Sequence, residues 1–75
     1  MIEIYGTSTC KWCKEAQNLC LEKNLPYLYY WVDRDPSLLH ELEDRLDQKV
    51  RSVPQIFMDG EYVGSYSDLR EKIND

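Results

Sequence analysis

The stretch TSTCKWCKEA at residues 7–16 sets two cysteines, Cys10 and Cys13, three positions apart, between an alternating apolar run and a helical one. Two cysteines at this spacing serve a metal site, a permanent disulfide or a pair of thiols that trade electrons. The flanking sequence has to separate these uses. Upstream, Ile2 and Ile4 alternate with Glu3 and Tyr5, a period of two that reads as a strand ending at Gly6. Downstream the period lengthens. Cys13, Ala16, Leu19 and Cys20 fall on one stripe of a helix, with Lys23 over its next turn and an end at Asn24 before Leu25-Pro26. The cysteines therefore stand at the start of a helix that follows a strand.

Residues 27–32, YLYYWV, are aromatic or β-branched almost throughout and too few for a helix, so they read as a second strand. Strand, helix, strand implies a parallel pair with a right-handed crossover. In DRDPSLLHELEDRLDQK, Asp35 is placed to cap, and Pro36 sits at the first helical position. Leu38, Leu39, Leu42 and Leu46 form an apolar stripe, and Glu41 and Arg45 read as an exposed i,i+4 pair. Further on, IFM at 56–58 and YV at 62–63 flank Asp59-Gly60, a dipeptide suited to a tight hairpin. Ser67 is read as the cap of a last helix, SDLREKIND, with Leu69 and Ile73 inward and Asp68 near the positive end of its dipole. The order is βαβαββα: a single α/β domain over 1–75, with a four-stranded mixed sheet flanked by helices.

Composition narrows the function classes. The 75 residues carry 14 acidic and 9 basic side chains, a formal charge of -5, which disfavours a large phosphate-backbone contact and gives no support to nucleic acid or anionic membrane as a partner. No apolar run approaches the roughly 18 residues of a spanning helix, and no charged-then-apolar leader precedes the first strand. The expectation is a soluble cytoplasmic protein. Three cysteines do not make a fully paired framework of the secreted kind.

That element order, with CxxC between the first strand and the first helix, resembles the glutaredoxin family, the smallest form of the thioredoxin fold. The resemblance spans nearly the whole chain and rests on three segments in order. They are Cys10-Lys11-Trp12-Cys13, then Ser52-Val53-Pro54-Gln55-Ile56-Phe57, and Val63-Gly64-Ser65-Tyr66-Ser67-Asp68-Leu69. It implies a cis peptide bond before Pro54, facing the cysteines. It also implies a monomeric thiol-disulfide oxidoreductase with no bound cofactor and no metal, recharged by glutathione as co-substrate. Its partners would be glutathione and disulfide-containing or glutathionylated proteins, with ribonucleotide reductase as one candidate.

Position alone already favours such chemistry. A cysteine at a helix N-terminus meets unsatisfied backbone N–H groups and the positive end of the dipole, which favour thiolate. Cys10 is thus the expected nucleophile, with Lys11 and Lys14 lowering its pKa below the free value of about 8.5. Cys13, one turn deeper, is the expected resolving thiol. By resemblance, Val53 beside Pro54 and the adjoining Ser52 bind the cysteinyl part of glutathione, Ser67 and Asp68 its γ-glutamyl end, and Trp12 and Tyr66 wall the cleft. The lysine that the family usually carries three residues before the nucleophile is Thr7 here, the second glycine of the third segment is Ser65, and the proline after the nucleophile is Lys11. Arg51 is the expected substitute for the missing positive charge.

Other readings stay open. Cys20 on the inner stripe reads as a small buried hydrophobe, and His40 as a surface residue. A Cys10, Cys13, Cys20 and His40 metal set fails on spacing, and the CxxC remains open to a static disulfide or half a zinc knuckle. A redoxin of the same fold reduced by thioredoxin reductase, and an iron-sulfur cluster carrier, are the alternatives in function.

Overall fold

In a computed structural model, which describes residues 1–74, the chain forms seven elements. They are β1 (Ile2–Gly6), α1 (Lys11–Glu22), β2 (Tyr27–Trp31), α2 (Pro36–Leu46), β3 (Gln55–Met58), β4 (Glu61–Gly64) and α3 (Tyr66–Asn74). The sheet order is β2-β1-β3-β4. β1 runs parallel to β2, with Ile4 opposite Tyr29, and antiparallel to β3, with Ile4 opposite Ile56. The last helix is described to Asn74; Asp75, where the sequence places its end, lies outside the described residues. Among the described residues no helix is long and apolar enough to cross a membrane.

Period-2 alternation sorts the strands onto two cores. Ile2, Ile4 and Ile56 face α1 and α3, where they pack with Ala16, Leu19, Cys20 and Leu69. Tyr5 and Phe57 face the other way, against Val32 and Leu42. The sheet is covered on both sides, which is why Tyr5 is buried despite standing at a position the alternation leaves outward.

Helix ends follow from single residues. Asn24 adopts a left-handed conformation at φ 57° while Leu25 N–H bonds back to the Cys20 carbonyl, a Schellman stop for α1. Asp35 caps α2 by accepting from Ser37 N–H at 3.0 Å. Asp59 and Gly60, at φ 52° and 85°, make the turn between β3 and β4.

Two expectations are corrected. Arg45 does not pair with Glu41. It turns down onto the sheet, where its Nη1 donates to Glu3 Oε2 at 3.2 Å and Tyr5 Oη at 2.9 Å, with its guanidinium 3.8 Å from the centre of the Phe57 ring. A partly desolvated carboxylate and an aromatic face hold a guanidinium better than a solvated neighbour on the same helix does. Nor does Ser67 cap α3. The helix begins at Tyr66, Leu69 N–H bonds to the Ser65 carbonyl, and the Asp68 carboxylate accepts from Ser65 N–H at 2.9 Å. Ser65 is the cap, and Asp68 reaches back to it as in a capping box.

Candidate functional site

Cys10 is the N-cap residue of α1, extended at φ -91° and ψ 115°. Its Sγ accepts from Cys13 N–H at 3.1 Å, one of the donors that the first helical turn leaves without a backbone partner. Any negative charge on this sulfur is stabilised by that bond and by the helix dipole. Cys10 and Cys13 are joined by a disulfide, with Cα atoms 5.2 Å apart. The pair is asymmetric in access: Cys10 is partly exposed, whereas Cys13 has no exposed surface.

The burial of Cys13 depends on Gly6 at the end of β1. A Cβ at position 6 would lie 2.7 Å from Cys13 Sγ and would also collide with the Tyr29 hydroxyl. That hydroxyl donates to the Thr7 carbonyl at 2.8 Å and so fixes the loop leading to Cys10. Absence of a side chain at Gly6 is what lets sulfur, ring and strand meet.

Across from Cys10, the Val53–Pro54 peptide bond is cis, and the Val53 carbonyl oxygen lies 3.7 Å from Cys10 Sγ. Ser52, Val53 and Pro54 form one side of a groove of about 400 Å³ beside the cysteines. Trp12 and Tyr66 form another, their rings stacked at 5.4 Å between centroids. The first turn of α3 closes the end with Ser65 and Ser67. The N–H groups of Tyr66, Ser67 and Asp68 precede the first intrahelical donor, Leu69, and are the orphan donors that suit a carboxylate.

The sequence-derived residues thus divide. Trp12, Ser52, Val53, Pro54, Tyr66 and Ser67 converge on this groove. The Asp68 side chain does not line it, being engaged by Ser65 N–H and by the Ser65 hydroxyl at 3.0 Å. Those bonds, the backbone one first, hold its carboxyl below the usual aspartate range. Gly64, at φ 122°, leaves room for that carboxylate, which a Cβ there would strike. Arg51 is exposed in the preceding loop and is not part of the lining; the cation on the groove is Arg70, from the second turn of α3. Sequence reasoning passed over Arg70. Its signal was its place two residues after Asp68, on a helix whose first turn was already implicated.

Cys20 is a free thiol with no exposed surface, and burial pushes its pKa up. His40 is exposed on α2. Among the described residues no three His, Cys, Asp or Glu side chains gather as a metal site.

A four-stranded mixed sheet with a CxxC pair at the first helix N-terminus and a cis-proline opposite defines the class of thioredoxin-fold dithiol proteins. Residues 2–63 match the glutaredoxin family, and this chain belongs to that family. It is similar to a probable glutaredoxin from Synechocystis, at 37% identity over 68 residues that cover 91% of this chain and 76% of the relative. Among solved structures it resembles glutaredoxin 1 from Francisella tularensis, complexed with cacodylate. That match has 25% identity and a TM-score of 0.79, over 97% of this chain and 91% of that one. A thioredoxin-like protein superposes with a TM-score of 0.82 at 26% identity, over 99% of this chain and 96% of that one. The protein is accordingly a thiol-disulfide oxidoreductase.

Proposed function

We propose that this protein reduces protein disulfides and glutathione mixed disulfides with electrons from glutathione, Cys10 attacking and Cys13 resolving. The observation that carries the reading is the Cys10 sulfur at the α1 N-cap, held by Cys13 N–H at 3.1 Å and 3.7 Å from the carbonyl oxygen of Val53, which lines the groove that ends in the orphan donors of α3. On a glutathionylated protein, the Cys10 thiolate attacks the glutathione sulfur. The partner's sulfur leaves with the bonding pair and takes a proton, and a Cys10–glutathione disulfide remains. A second glutathione thiolate then attacks the bound glutathione sulfur, giving glutathione disulfide and restoring the Cys10 thiolate. With a protein disulfide, the Cys10 thiolate attacks one partner sulfur while the other leaves and takes a proton. Cys13 then loses its proton and attacks Cys10 Sγ of that mixed disulfide, which releases the bound partner sulfur as a thiol and leaves the Cys10–Cys13 disulfide. Two glutathiones reduce that disulfide in turn.

In this reading the Val53 backbone pairs with the cysteinyl unit of glutathione, next to Ser52 and Pro54. The donors at Ser67 and Asp68 receive the γ-glutamyl carboxylate, and the Trp12–Tyr66 stack forms the wall. Arg70 supplies the cation that Thr7 lacks. The protein acts as a monomer in the cytoplasm, and ribonucleotide reductase is one of its acceptors.

A second electron source, thioredoxin reductase, is favoured by two observations: Thr7 is uncharged, and a thioredoxin-like protein superposes on this fold. The test is NADPH oxidation with glutathione, glutathione reductase and a small glutathione mixed disulfide, with this protein in catalytic amount. A protein-dependent rate supports the first reading. No rate from folded, reduced protein, together with turnover by thioredoxin reductase, selects the second.

A further inference from the structure

A second groove, of about 430 Å³, borders Cys10 between α1 and the edge strand β2. Lys11, Lys14 and Gln17 line it from the helix, Tyr29 and Trp31 from the strand, and the Thr7–Thr9 loop closes one end. No acidic residue is among its lining. Arg34 extends the positive rim, its guanidinium 5.7 Å from the Trp31 ring centre and its Nε donating to Ser8 Oγ at 3.1 Å. The nearby Asp33 carboxylate accepts from Ser8 N–H at 3.1 Å. Three cations therefore surround an aromatic-walled groove on a chain of net charge -5.

The glutathione reading leaves this groove without an occupant. When Cys10 attacks one sulfur of a mixed disulfide, the other sulfur leaves on the far side of the bond, so the two halves of the substrate need separate places beside Cys10. The groove lined by Trp12 serves one half. We propose that the α1–β2 groove binds an acidic peptide segment of the protein partner, adjoining that partner's reactive cysteine. This rests on Cys10 being the attacking atom. Charge complementarity selects the occupant: at 0.1 M salt the screening length is about 10 Å, so a docked segment feels the three cations Lys11, Lys14 and Arg34, offset in part by Asp33, more than the distant acidic groups of the protein. The exposed Trp31 ring, 42% accessible and tilted against Tyr29 with 4.9 Å between ring centroids, supplies the apolar anchor.

The chain has two tryptophans, one on each groove, so their indole N–H signals report the two sites independently. The disulfide form is titrated by NMR with an Asp- and Glu-rich hexapeptide whose cysteine is replaced by serine, and with its Lys-rich counterpart. The acidic peptide is expected to shift the Trp31 indole and the Gln17 amide while leaving the Trp12 indole in place. It should bind at least about threefold more tightly than the basic peptide at roughly 20 mM salt, with the preference gone at about 0.5 M. Gln17→Lys should tighten it and Gln17→Glu weaken it, each by about two- to threefold. Tighter binding of the basic peptide, no shift at Trp31, or a shift at Trp12 instead would overturn the proposal. So would S-methylglutathione, which cannot exchange, moving Trp31 as strongly as the acidic peptide at equal concentration. If S-methylglutathione leaves Trp12 unmoved, the glutathione reading fails while this one stands on its own shifts.

Discussion

On the face of the sheet that carries α1 and α3, the fully buried side chains are Ile4, Ala16, Cys20, Ile56 and Leu69, all aliphatic or small. On the face that carries α2 they are Tyr5 and Leu42, flanked by the nearly buried Val32 and Phe57, with the Tyr30 ring stacked on Tyr5 at 4.6 Å. The first face holds both helix N-termini that border the cysteines, and its small residues bring α1 close enough to the strands for Cys13 to meet Gly6. The second reaches the Trp12 groove through Val53, which packs against it from the loop before β3. It holds α2 with rings and with the Arg45, Glu3 and Tyr5 bonds, a longer-range clasp that tolerates polar groups at its rim. One layer positions chemistry and the other supplies stability, and substitutions on each should report differently.

The largest expected effect is at the sulfur: Cys10→Ser should reduce turnover of every disulfide substrate to background while leaving the thermal midpoint nearly unchanged. If coupled-assay activity survives in that variant, the assignment of the chemistry to this face fails. Gly6→Ala comes next. The added methyl presses on Cys13 Sγ and Tyr29, so activity and stability should fall together, the latter by about 1–3 kcal/mol in denaturant titrations. On the opposite face, Leu42→Ala should cost about 2–5 kcal/mol and leave kcat/KM per folded molecule within about twofold. A change in kcat/KM as large as that of Gly6→Ala would break the division between the faces.

The smallest effect concerns the α3 cap. Asp68 is held below the ordinary aspartate range, so its cap contributes fully above about pH 4 and is lost as pH falls through the lowered native value. The Ser65 amide resonance should therefore stay constant between about pH 5 and 8 and move only in stronger acid. Asp68→Asn should remove that acid transition and, on the proposed glutathione reading, raise the KM for glutathione by a few fold.

The element order was legible because the hydrophobic period changes sharply at Gly6, Asn24, Pro36 and Asp59, and each change coincides with a residue that stops the preceding element. The cysteine pair was legible because its placement needs only one strand and one helix. What escaped was settled by contacts between distant segments. Glu41 is the arithmetic neighbour of Arg45, but Glu3 is 42 residues away and carries the better partner geometry. Ser65 and Ser67 are both plausible caps ahead of Leu69, and the choice falls to Ser65 because Asp68 reaches back three residues rather than one. Arg51 and Arg70 both stand near groove residues in sequence, yet only the helix presents its guanidinium to the groove. The α1–β2 groove draws on a loop, a helix and an edge strand, and no single stretch of sequence announces it.

The unequal access of Cys10 and Cys13 also bears on survival under peroxide. An oxidant reaches the outer sulfur first and converts it to a sulfenic acid, the last reversible rung before sulfinic acid. With the buried Cys13 thiol one turn away, the sulfenic group condenses with it to the internal disulfide, its oxygen leaving as water, ahead of a second oxidant. Cys20, without exposed surface and with its thiol kept protonated by burial, stays out of that traffic. The shielding of one sulfur behind the other thus acts as a fuse, diverting damage into the very state that reductant repairs.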